Sequence, residues 1–127
     1  MADVMVDSSA WVAYFRPGSE SLSDLIIQLL DQERIAICGM VELELLQGAR
    51  PDERKELRSL FQALSFIETQ RSDFIAAGDR LAALRRKGIT IPAADGLIAT
   101  LCAKHRLKLL AIDKHFDYLP EIARLKP

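Results

Sequence analysis

Leu107-Lys108-Leu109-Leu110-Ala111-Ile112-Asp113 is the stretch on which the fold turns. Its mostly apolar run has the length of a strand and closes on an aspartate. The chain opens with the same arrangement, since Val4 to Val6 lead into Asp7. Between these two runs, short apolar segments alternate with longer ones of helical period. That alternation predicts an α/β domain with a mainly parallel central sheet.

Working outward from the ends, Ser8 or Ser9 is placed to cap a short helix with Trp11, Val12 and Phe15 as its apolar members, stopped by Pro17 and Gly18. Leu22, Leu25, Ile26, Leu29 and Leu30 recur at helical spacing, with Ser21 and Asp24 set like a capping box. Arg34 to Cys38 reads as a second strand and Met40 to Ala49 as a helix. Leu57, Leu60, Phe61 and Leu64 share one face of another helix, with Asp52 and Glu53 in its first turn. Phe66 and Ile67 suggest a brief strand. A long helix is expected from Ser72 to Lys87, marked by Phe74, Ala77, Leu81 and Leu84 and stopped by Gly88. Pro92 precedes a helix with the stripe Leu97, Ile98, Leu101 and Cys102, and a short last strand is expected at Ala123 to Leu125.

The 127 residues, half of them apolar, suffice for one compact domain over 1–127 without staples. Cys38 and Cys102 sit in apolar segments and read as reduced core residues of a cytoplasmic protein. The longest apolar run, Leu25 to Leu30, is broken by Gln28 and is far too short for a membrane span. With 17 basic against 18 acidic residues, nothing in the overall charge marks a nucleic-acid binder, so any polyanion must be held locally. Basic residues do group at Arg50, Arg54, Lys55 and Arg58, at Arg85 to Lys87, and at Lys104 to Lys108. Trp11 and Tyr14 are more plausible as packing residues than as base-stacking ones.

Four acids fall at informative places in this plan. Asp7 and Asp113 each follow a predicted strand, at the sheet edge where open α/β folds place ligands. Asp95 lies in the first turn of its helix, three residues before Ile98, and so points along the buried stripe. Glu44 interrupts a core-directed face shared with Val41, Leu45 and Gly48. Each position has an ordinary explanation alone, as a cap or a dipole partner. Together they imply carboxylates that repel one another unless a cation joins them. All-oxygen ligation favours Mg²⁺ or Mn²⁺, as one or two ions, over zinc, and His105 and His115 are not spaced as a zinc pair. Such a centre suits phosphodiester hydrolysis by an activated water.

These residues resemble the PIN-domain family, and within it the VapC-type toxins of toxin–antitoxin systems. Val6 to Trp11 resembles the opening motif, Glu44 to Ala49 the second, Asp95 to Ala99 the third, and Ile112 to Phe116 the last. The resemblance implies a three-layer α/β/α sandwich and a Mg²⁺- or Mn²⁺-dependent endoribonuclease that arrests translation by cutting RNA, often tRNA or ribosomal RNA. It implies Asp7, Glu44, Asp95 and Asp113 as the catalytic and metal-holding acids, with Asp7 and Asp95 the most direct ligands and Ser9 in support. It further implies a homodimer neutralised by a VapB-type antitoxin. Glu42 competes with Glu44, but the two lie about 200° apart on a helix, so only one faces the pocket. Where many relatives carry another acid this chain has His115, and Asp117 is the nearest substitute.

Other classes predict other residues. A phosphatase of the haloacid dehalogenase kind needs a second aspartate where Ser9 stands. A phosphoacceptor receiver would use Lys114 but lacks the acid pair after its first strand. A degenerate PIN fold acting only by binding protein or RNA would keep the architecture without the cleavage.

Overall fold

In the computed structural model, which describes residues 1–16, 18 and 20–127, the strands β1 (Val4–Val6) and β2 (Ile35–Cys38) are buried at every residue. Successive side chains of a strand point to opposite faces, so both faces are covered, and this is why each strand reads as an unbroken apolar run. β3 (Ser65–Ile67) and β4 (Lys108–Leu110) complete a four-stranded parallel sheet in the order β3-β2-β1-β4. Val4 pairs with Ile35 on one side and with Lys108 on the other.

Helices α1 (Ser8–Phe15) and α2 (Glu20–Asp31) join β1 to β2. From β2 the chain runs through α3 (Gly39–Gln47), a 3₁₀ turn at Pro51–Glu53 and α4 (Arg54–Ala63) to β3. The helices α5 (Arg71–Arg86) and α6 (Ala93–His105) lead back to β4. The first two connections step one way across the sheet, and the last returns to the far side of β1. Right-handed crossovers therefore put α1 to α4 over one face and α5 and α6 over the other. The contacts agree, since α1 packs on α2 and α3 while α5 lies along α6. That last approach is close: a Cβ on Gly96 of α6 would stand 2.7 Å from Leu81 Cγ.

The direction of the connections reverses between β1 and β4. A crevice opens at such a switch, beyond the carboxyl ends of the strands, and Asp7 stands on its floor. Among the described residues no helix is long and apolar enough to cross a membrane. Cys38 and Cys102 are buried and unpaired with each other.

Several local expectations are corrected. The cap of α1 is Asp7, one residue earlier than the serines, and Val12 and Phe15 are exposed where only Ala10 and Trp11 are buried. Pro17 lies outside the described residues. Ser21 is the second residue of α2 and so does not cap it. Asp52 and Glu53 belong to the 3₁₀ turn before α4. Phe74 is exposed at the start of α5. The expected last strand is a single bridge between Leu109 and Arg124. β4 stops at Leu110, because the backbone N–H groups of Ile112 and Asp113 leave the sheet to bond the Ser9 hydroxyl.

Candidate metal centre

Asp7 is the deepest of the four acids, 2% exposed at the end of β1. As the cap of α1 it receives the Ser9 N–H at 3.1 Å and the Ser9 hydroxyl at 2.6 Å, both on Oδ2. Its other oxygen, Oδ1, is buried without a hydrogen-bond partner. Burial pushes its pKa up against the pull of the Ser9 bonds, and the Asp113 charge adds to the rise. An unsatisfied buried carboxylate oxygen is costly, and its natural complement is a cation.

Ser9 does more than cap. Its hydroxyl donates its one proton to Asp7 and accepts from the backbone N–H of Ile112 at 3.1 Å and of Asp113 at 3.3 Å. All the bonding capacity of that hydroxyl is used. The chain after β4, which carries Asp113, is thereby tied to the end of β1.

Asp95 enters from the first turn of α6, where the N-terminal dipole favours an anion. It is 6% exposed, and burial raises its pKa, with the bond to His115 opposing and the charges of Asp7 and Asp113 adding. Glu44 reaches in from α3 and accepts the Ser8 hydroxyl at 3.1 Å on Oε1. Burial raises its pKa as well, followed, against the Ser8 bond, by the charges of Asp7, Asp95 and Asp113. Glu42, its rival on the same helix, is raised by burial alone and feels none of these acids. The four carboxylates therefore form one electrostatic unit drawn from β1, α3, α6 and the segment after β4.

Asp113 is three residues beyond β4 and caps a 3₁₀ turn at Lys114–Tyr118, accepting the His115 N–H at 3.1 Å. This turn brings in a residue that sequence reasoning set aside. His115 Nδ1 lies 2.7 Å from Asp95 Oδ2 and 2.8 Å from Asp113 Oδ1. Asp95, Asp113 and His115 thus offer ligand atoms within 4.8 Å of one another. The sequence reading took the ligands as oxygen alone and set His115 aside for its spacing; the fold brings its imidazole against two of the acids. Its signal was present as an Asp-Lys-His triplet, which a single tight turn folds onto one side. Asp117 is not brought in; it pairs with Arg124 at 3.2 Å.

The donor set fits a divalent cation: buried carboxylates in mutual repulsion, one orphaned oxygen and a flanking imidazole. Three of the basic residues grouped in the sequence have partners outside the four acids. Lys104 pairs with buried Asp73 at 3.0 Å, Arg50 with Asp52 and Glu53, and Arg54 bonds the Leu46 carbonyl. Trp11 is fully buried, which makes it a packing residue.

Residues 4–122 match the model of the PIN domain. The chain belongs to the PIN-domain family, in its VapC branch. It is 34% identical over 128 residues to Ribonuclease VapC11 of Mycobacterium tuberculosis, covering 97% of this chain and 96% of that protein. The crystal structure of DNA-bound VapBC from Salmonella typhimurium superposes with a TM-score of 0.80 at 20% identity, over 98% of each chain. A member of the VapBC family of toxin–antitoxin systems from Mycobacterium tuberculosis, VapBC-5, superposes at 0.65 and 19% identity, over 98% of this chain and 100% of that one. Membership of this family sets aside the phosphatase and receiver alternatives. The PIN fold agrees with the parallel sheet and flanking helices expected from the sequence.

Proposed function

We propose that this chain is a cytoplasmic endoribonuclease toxin that hydrolyses RNA phosphodiester bonds with Mg²⁺ or Mn²⁺ held by Asp7, Asp95, Asp113 and Glu44. The observation that carries the reading is that these acids act on one another's charge while Asp7, the deepest of them, keeps Oδ1 unpartnered. Its relative's name, a ribonuclease at 34% identity over almost the whole chain, supports RNA as the substrate.

When bound, a divalent ion there lowers the pKa of a water and offsets charge on the scissile phosphate. The chain's own residues do the rest. Ser9 fixes Asp7 and, through the Ile112 and Asp113 N–H groups, sets the distance between the two strand-end acids. Glu44, fixed by the Ser8 hydroxyl on Oε1, keeps its other oxygen free to complete the acidic set around the ion. Asp95 sits at the positive end of α6, where its charge is tolerated. Cleavage of tRNA or ribosomal RNA would arrest translation. We infer a homodimer and a VapB-type antitoxin as partners, in keeping with the toxin–antitoxin assignment of the VapBC-5 neighbour.

The test is incubation of the purified chain with total cellular RNA, with Mg²⁺, Mn²⁺ or EDTA, beside Asp7→Asn and Asp95→Asn. Discrete fragments that need metal and both aspartates are expected. Cutting that survives EDTA, or folded variants that cut undiminished, would refute the site; a metal-binding protein that cuts no RNA would instead favour the binding-only PIN alternative.

A further inference from the structure

We infer that His115 is a direct metal ligand which, with Asp95 and Asp113, makes a nitrogen-containing subsite that prefers a first-row transition ion over Mg²⁺. The inference rests on the metal-nuclease reading and concerns a residue outside its four acids.

The argument begins with the contacts of one atom. His115 Nδ1 is 2.7 Å from Asp95 Oδ2 and 2.8 Å from Asp113 Oδ1. A ring nitrogen carries at most one proton, which cannot point straight at both oxygens. Hydrogen bonding therefore accounts fully for one of these approaches and poorly for the other. An ion shared by all three atoms accounts for both: adjacent ligands about 2.1 Å from a six-coordinate ion stand about 3 Å apart. Asp113 Oδ1 is also oriented by the His115 N–H at 3.1 Å, so the backbone of the same turn aims the carboxylate at the ring that follows it. A second, separate feature points to a cation here. The carboxylate of Asp7, a residue only 2% exposed, keeps Oδ1 unpartnered, and its charge acts on Asp95.

The choice of ion follows from the donor. Mg²⁺ takes oxygen ligands and keeps much of its water, whereas imidazole nitrogen binds transition ions by preference. With its side chain 40% exposed at the crevice, His115 can be replaced at little expense to the core.

The experiment uses the full chain with Mn²⁺ as the probe and does not depend on RNA cleavage. Pulsed electron paramagnetic resonance of the Mn²⁺ protein is expected to show nitrogen modulation from one directly bound imidazole. That modulation should vanish in His115→Ala and in His115→Gln, the latter keeping a hydrogen-bonding side chain. Calorimetry on His115→Asp should lower the ratio of Mn²⁺ to Mg²⁺ affinity by about tenfold or more. Bound Mn²⁺ with no nitrogen signal, or an affinity ratio untouched by His115→Asp in a folded variant, overturns the inference while leaving the acidic site standing. Failure of the wild-type chain to bind Mn²⁺ at millimolar concentration overturns it together with the reading on which it rests.

Discussion

Removing one oxygen should loosen both the oldest and the newest parts of the site as the chain is written. Ser9→Ala deletes the hydroxyl that donates to Asp7 at 2.6 Å and accepts from Ile112 and Asp113. The bond to Asp7 is charge-assisted and partly buried, and losing such a bond costs about 1.5–3 kcal/mol. The two backbone N–H groups recover water more readily, because Ile112 is about half exposed, so their loss adds little. A net cost of about 2 kcal/mol is expected. For a chain of 127 residues the unfolding entropy is about 0.27 kcal/mol/K, which turns that cost into a fall in Tm of about 7 °C.

Two further readouts separate this clamp from an ordinary lost contact. With the Ser9 hydroxyl gone, Asp7 keeps only backbone N–H donors, and its pKa should climb further. The destabilisation should therefore be largest where Asp7 is ionised and should shrink as pH falls through its folded pKa. Mn²⁺ affinity, read by calorimetry, should drop about 10- to 100-fold, the usual penalty for losing a group that orients a metal ligand. Ser9→Thr, which restores the hydroxyl, should recover most of it. An unchanged Mn²⁺ affinity, or a Tm loss that is the same at every pH, would show that Ser9 merely fills space.

Other perturbations follow from the same geometry. Without metal, Asp7, Glu44 and Asp95 have folded pKa values above their unfolded ones, so in that window the folded state binds more protons than the unfolded. Stability should therefore fall as pH rises through the window, and the Tm of the metal-free protein should increase as the pH is lowered from neutrality toward the ordinary carboxylate range. Below about pH 4 the trend should reverse, as Asp3, whose pKa the Arg34 hydrogen bond lowers, becomes protonated. A metal-free Tm that is flat or falls over that upper range would contradict the burial of the acids. Saturating Mn²⁺ at about 100 times its Kd should add about 2.7 kcal/mol at neutral pH, roughly 10 °C, and less at pH 5. Gly96→Ala places a methyl 2.7 Å from Leu81 Cγ, and overpacking of about 1–3 kcal/mol should outweigh a gain in helix propensity of about 1 kcal/mol. Denaturant titration should find it destabilising alone and harmless or stabilising in a Leu81→Ala background; equal effects in both would remove the steric argument.

The parallel sheet was legible because its central strands are buried on both faces, and an unbroken run such as Val4 to Val6 is what that demands. At the end of β4 the sequence pattern failed because a side chain took over backbone groups that periodicity assigns to an element. At Ile112 and Asp113 the run still looks like strand, but their N–H groups bond the Ser9 hydroxyl from the other end of the chain. No window of local sequence contains that partner. Phe15 and Phe74 have helical spacing yet are exposed, because each lies near an end of its helix, Phe15 as the last residue of α1 and Phe74 in the first turn of α5.

Within the site, the acids were easier to find than the residues that position them. A carboxylate on a core-directed face contradicts the apolar pattern around it, and Glu44 and Asp95 announce themselves by that contradiction. Ser8 and His115 contradict nothing: a serine after a strand and a histidine two residues after an aspartate are ordinary at a surface. Their roles arise only when α1 is set against α3 and the turn at Lys114–Tyr118 against α6, bringing Ser8 to Glu44 and His115 to Asp95. The acids record the cost of assembling negative charge, which sequence pattern can register. Their partners record where that charge is held, and this is a property of the packed chain. His115 is the case that tests the difference, because a residue dismissed for its spacing along the chain stands within 3 Å of two acids once the chain is folded.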